Sequence, residues 1–87
     1  MDKVKDLLDK CNADEAIVRL TALINQDKEN DNYYYLRGNA YRKKGNWQEA
    51  IQNYLEAIAL NANSPAVEAH QMMIEILEFY NKDMFNQ

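Results

Sequence analysis

Between residues 47 and 58 the apolar side chains Trp47, Ala50, Ile51, Tyr54, Leu55 and Ile58 fall at i, i+3, i+4, i+7, i+8 and i+11. That spacing keeps them on one side of an α-helix as a continuous stripe available for burial. No segment alternates apolar and polar residues as a half-buried strand would, so the chain reads as all-α. Five helices are predicted, over residues 2–10, 13–26, 32–44, 47–60 and 65–80. Their starts follow from local punctuation. Asn12 with Glu15, and Asn46 with Glu49, have capping-box spacing, in which a short polar side chain accepts from the free N–H groups of the first turn. Ser64 before Pro65 is a third start, with proline at a position where its missing N–H costs nothing.

The stretch from Asn12 to Ile24 recurs 34 residues later as Asn46 to Ile58. Asn, Glu, Ala and two Ile coincide at Asn12/Asn46, Glu15/Glu49, Ala16/Ala50, Ile17/Ile51 and Ile24/Ile58. All five are cap or stripe positions, so the two helices are expected to start and pack alike. Gly38 and Ala50 are the small residues that would let two helices of one hairpin approach closely, and Tyr41 and Tyr54 the large ones that fill the space beside them.

A 34-residue period with two helices per unit, carrying Tyr34, Gly38, Tyr41, Ala50, Tyr54 and Ala57 at the signature positions, resembles the tetratricopeptide repeat (TPR). Tyr34 takes the usual Trp position. Arg37 stands where Leu is usual and Ala62 where a proline would be, with Pro65 arriving three residues late. The resemblance implies a right-handed α-solenoid fragment of antiparallel helical hairpins, about two and a half repeats long, of the kind met as small stand-alone bacterial TPR proteins. One TPR-like domain is expected over residues 1–87. It divides into a partly degenerate first repeat (1–28), a full repeat (31–64), a capping helix (65–80) and a tail (81–87).

Composition narrows the function. Ten Lys and Arg against 14 Asp and Glu give a net charge of −4, the wrong sign for a protein that lives on phosphate contacts. No apolar run approaches the length of a membrane span, and the first residues show no apolar signal core, so neither nucleic acid nor membrane is an expected partner. A single cysteine cannot form an internal disulfide, which favours a cytoplasmic location. Cys11 has Asp9 and Asp14 near it as well as Lys10, and is expected to be an incidental turn residue. His70 has no second His or Cys at ligand spacing and reads as a packed or half-exposed helix residue. The two glycines make no phosphate loop. No catalytic residue, metal ligand or cofactor site is therefore expected. Trp47, on the apolar stripe, is expected to be wedged between hairpins.

In TPR proteins the first helix of each unit lines a concave groove that holds peptides or other proteins. Tyr35, Asn39, Arg42 and Lys43 share one face of the 32–44 helix, apart from the Tyr34, Gly38, Tyr41 face. They form a cationic, hydrogen-bonding strip suited to an acidic or carboxylate-bearing segment; a plain solvated surface is the alternative. The family's two-carboxylate clamp is not expected, since its positions carry Met1, Lys5, Leu36, Ala66 and His70, of which only Lys5 is basic.

The last predicted helix is the other candidate surface. Glu68, Gln71, Glu75 and Glu78 form one narrow polar stripe on an otherwise largely apolar helix. Val67 and Ile74 lie on one flank of its apolar arc and Met72 and Phe79 on the other, too far apart for one neighbouring helix to cover. Either Met84 and Phe85 of the tail fold back over a flank, or the helix meets a ligand or a second copy. Two functions are thus expected in competition: a protein- or peptide-binding module using the groove, and a structural module that forms a homodimer through this helix.

Overall fold

A computed structural model of the chain describes residues 12–85, with side chains as far as Phe79. Among them are four helices and no strand: α1 (Ala13–Gln26), α2 (Asp31–Lys43), α3 (Trp47–Leu60) and α4 (Ala66–Phe85). The helix expected over residues 2–10 and the turn cysteine Cys11 lie outside the described residues. The extensive interfaces are α1 on α2, α2 on α3 and α3 on α4, each between helices consecutive in the chain. Cross-helix bonds fix their direction. Thr21 meets Arg37 and Asp14 meets Lys44, while Asp31 meets Asn61 and Arg37 meets Asn53. As one number rises the other falls, so both pairs are antiparallel hairpins.

The turn between α2 and α3 is built by Gly45, which has φ +79. Its N–H donates to the carbonyl of Arg42 and the next N–H, of Asn46, to that of Tyr41. This pair of bonds is the Schellman closure, which needs a left-handed residue and therefore favours glycine. At the helix starts the expected caps are only partly used. Neither Asn12 nor Asn46 caps its helix through its side chain; the Asn12 amide instead donates to the Glu15 carboxylate. Asn30, which the sequence reading passed over, accepts from the N–H of Asn32 and caps α2. Ser64 does cap α4, its Oγ accepting from the N–H of Ala66.

Two clusters make the core. Ala13, Ala16, Leu20, Leu36 and Ala40 pack between α1 and α2. Ala50, Tyr54, Ala57, Ala66, Ala69 and Met73 pack between α3 and α4, with Tyr34 and Tyr41 of α2 against them. The 34-residue repeat is visible in the packing: Ala16 and Ala50 are fully buried, as are Leu20 and Tyr54 at the next equivalent pair. Tyr33 packs on the first cluster, Tyr34 on the second and Tyr35 on both.

Gly38 marks the closest approach of α2 to α3. A Cβ there would lie 2.7 and 2.8 Å from Tyr54 ring carbons and 3.2 Å from the Ala50 carbonyl oxygen. Beside it, Arg37 links three helices. Its Nε donates to Asn53 Oδ1 at 2.6 Å, its other guanidinium nitrogen reaches Thr21 Oγ1 at 3.2 Å, and its carbon sits 5.5 Å from the centre of the Tyr34 ring. A polar bridge stands here in place of an apolar contact, with Asn53 buried and Arg37 half-buried.

Three sequence expectations change. Trp47 is not wedged between hairpins but 41% exposed, and Leu55 is 44% exposed. The buried face of α3 is centred on Ala50, Tyr54 and Ala57, and both residues stand off to its side. The last helix does not stop at Tyr80: α4 continues to Phe85, so residues 81–85 do not fold back as a tail. No glycine or proline interrupts that stretch, and nothing there ends the helix.

Two consequences are measurable by thermal or urea denaturation. Gly38→Ala gains about 1 kcal/mol of helix propensity, yet the variant is expected to be less stable. The fully buried Tyr54 ring would have to shift to admit the methyl group, and overpacking costs about 1–3 kcal/mol. Gly38→Leu should lose still more, and Glu56→Ala, on an exposed position, should stay within about 0.5 kcal/mol of the parent. Arg37→Leu strands the buried Asn53 oxygen and should cost about 1–3 kcal/mol. Adding Asn53→Leu should recover part of that loss; a doubly substituted protein worse than the sum of the single ones would contradict the polar-bridge account.

Candidate functional site

The described structure has an open cleft of about 230 Å³ between α2 and α4, lined by Tyr35, Asn39, Arg42, Pro65, Glu68, Ala69 and Met72. Its α2 wall consists of residues spaced i, i+4 and i+7 on one face of the helix. Its α4 wall is the first two turns of that helix, placed there by the Ser64 cap and by the burial of Ala66, Ala69 and Met73 against α3.

Tyr35 is half-buried, its ring centroid 6.1 Å from that of Tyr54 and the planes tilted by 38°. Asn39 is also half-buried and is held from beneath: the Tyr54 hydroxyl donates to its Oδ1 at 2.5 Å. Arg42 completes the α2 wall. Tyr54 lies entirely out of solvent, and burial pushes its phenol up to about 12, against a smaller opposing pull from the Arg42 charge. At the far end of α2, Lys44 Nζ sits 2.6 Å from Asp14, which raises the lysine's pKa first through that hydrogen bond and then through the opposite charge.

Of the four groove candidates, three therefore come together on the cleft. Lys43 does not line it and is exposed at the end of α2. Of the α4 candidates, Met72 joins the cleft and is 52% exposed, Phe79 is exposed, Val67 is exposed on the opposite flank and Ile74 is half-buried. Ile76, absent from the sequence candidates, is exposed and follows Met72 by one turn on the same side. The sequence reading also missed Glu68 and Ala69 as cleft residues. For Ala69 the signal was present, since the 34-residue offset carries Tyr35 onto it.

The cleft offers one guanidinium, one amide, one carboxylate and one phenol beside the apolar surface of Pro65, Ala69 and Met72. No group of three or more His, Cys, Asp or Glu among the described residues is placed to hold a metal ion. None of the described helices is long and apolar enough to cross a membrane.

A family profile described as TPR repeat matches residues 38–67. The chain is also similar to a Bacteroides fragilis protein known from a solution NMR structure. The two are 45% identical with a TM-score of 0.88, over 99% of this chain and 88% of that one. The chain belongs to the TPR family. No curated protein matches it. TPR repeats are helical hairpins that generally mediate protein–protein interaction and are typically non-catalytic.

The buried phenol gives a pH prediction. A folded pKa raised from 10.0 to about 12 disfavours ionisation in the native state. Its contribution to stability is fully present below about pH 10 and is lost as pH rises through about 12. Tyr54→Phe should lose about 1 kcal/mol at pH 7 for the missing hydrogen bond to Asn39, and its stability should fall less steeply than the parent's between pH 10 and 12. Parallel curves for the two proteins in urea titrations would contradict this.

Proposed function

We propose that this TPR protein is a non-catalytic interaction module that holds a segment of a partner protein in the cleft between α2 and α4. The observation that carries the reading is the convergence of Tyr35, Asn39 and Arg42 with Ala69 and Met72 on one cleft. In repeat terms, residues 31–64 are the full repeat, 1–28 the preceding one and α4 the first helix of a further unit, so the cleft lies between first helices, where an α-solenoid has its concave side. An acidic residue on the partner would meet Arg42. The single cysteine and the charge balance fit a cytoplasmic site of action.

A second reading, self-association through α4, has its own support. Val67 is 41%, Met72 52% and Phe79 64% exposed, and they stand on two flanks of one helix. Light scattering on a sizing column separates the readings before any partner is known, since groove binding requires only a monomer.

The groove reading is tested by NMR titration with a pool of acidic peptides. Amide shifts should centre on Tyr35, Asn39, Arg42, Ala69 and Met72. Replacing Arg42 and Lys43 together by Ala should weaken binding about tenfold or more. Shifts confined to the outer surfaces of α1 and α3, or affinity indifferent to the double replacement, would count against it.

A further inference from the structure

The cleft has two charged walls, which restricts what can enter it. Arg42 stands on the α2 side and Glu68 on the α4 side. Among the described residues the ion pairs are Arg19–Glu15 and Lys44–Asp14, and neither Arg42 nor Glu68 takes part in one. Both charges are therefore solvated across an apolar floor of Tyr35, Ala69 and Met72. A ligand that covers the cleft strips water from both, and each then needs its own counter-charge, because a desolvated unpaired charge costs more than a paired one returns. A uniformly acidic segment would satisfy Arg42 and oppose Glu68. Size sets a second limit. At about 230 Å³ the cleft is smaller than the usual ~300–1,000 Å³ of a small-molecule site. It has room for one large side chain of a longer ligand.

We infer that the partner is a peptide segment presenting one bulky apolar side chain flanked by one acidic and one basic residue. The apolar side chain packs on Met72 and Tyr35, the acid faces Arg42 and the base faces Glu68. This rests on the groove reading and sharpens it from an acidic ligand to a charge-balanced one.

The test is selection from a displayed library of random peptides against the folded protein and its variants, each checked by circular dichroism. The parent should enrich sequences in which opposite charges flank an apolar residue. Arg42→Glu should shift the enrichment to basic residues on both sides, and Glu68→Arg to acidic residues on both sides, whichever way the peptide runs. A peptide selected on the parent should lose about tenfold in affinity against either charge reversal, and Met72→Lys should abolish enrichment. If binding depends on Met72 but all proteins select the same charge pattern, the groove reading stands and this inference falls. If no selected peptide depends on Met72, both fall. A parent dimer that Met72→Lys converts to a monomer would place a second copy in the cleft and overturn the inference.

Discussion

The contact between Gly38 and Tyr54 governs the geometry of everything on the cleft side of the molecule. With ring carbons standing where a Cβ would otherwise be, α2 and α3 lie closer than any other residue at position 38 would allow. That approach lets the Tyr54 ring disappear from solvent beneath α2 while its hydroxyl reaches Asn39, the residue next to Gly38. The same ring meets Tyr35, which packs on both core clusters and so joins the first hairpin to the second. Two of the three α2 residues on the cleft are thus oriented by one buried side chain. Its position depends on the absence of a methyl group opposite.

Elsewhere the core is made close rather than thick. Among the described residues Ala16, Ala40, Ala50, Ala57 and Ala66 are fully buried, and the large side chains buried as completely are Leu20, Tyr54 and Met73. Small residues at helix contacts bring backbones together but remove little apolar surface from water, and burial is roughly proportional to area. Polar links take up some of the difference. Arg37 joins Thr21, Asn53 and the Tyr34 ring across three helices, and Asn61 ties the end of α3 to Asp31 at the start of α2. The Lys44–Asp14 pair is exposed and adds little, as surface pairs do. Stability in such a chain is a sum over neighbouring helices, so a bridge spanning three of them has more effect on cooperativity than a bond within a pair.

What the sequence disclosed and what it withheld divide along physical lines. The starts of the four described helices, the 34-residue repeat and the Gly38, Ala50 and Tyr54 packing set were legible because periodicity and residue size act within a single element or between two equivalent ones. The caps were less so: Asn12, Asn46 and Asn30 are chemically alike, and only backbone geometry decides that Asn30 accepts while the other two do not. Trp47 misled because its place on an apolar stripe gave no information about how far the neighbouring helix extends. For the same reason the wide apolar arc of α4 did not show which flank α3 would cover. Ile74 came to lie half-buried and Ile76 exposed. Glu68 was read as part of a solvated stripe, since its partner wall is α2, a helix separated from it in sequence by the whole of α3.

That separation bears on the proposed binding at the cleft. α2 and α4 share no extensive interface; each is held chiefly by α3. The face of α4 carrying Ala66, Ala69 and Met73 fastens it to α3, and the adjoining face carrying Glu68 and Met72 forms the cleft wall. A segment lying across the cleft touches both α2 and α4 and therefore adds a link that the fold itself makes only indirectly. Ligand binding and the docking of the last helix are then coupled: whatever binds the docked arrangement stabilises it by mass action, and whatever loosens α4 from α3 weakens the site. In the proposed groove reading, binding and the docking of α4 are two aspects of one helix packing, so substitutions at Ala69 or Met73 would act on binding without contacting the ligand's charged groups.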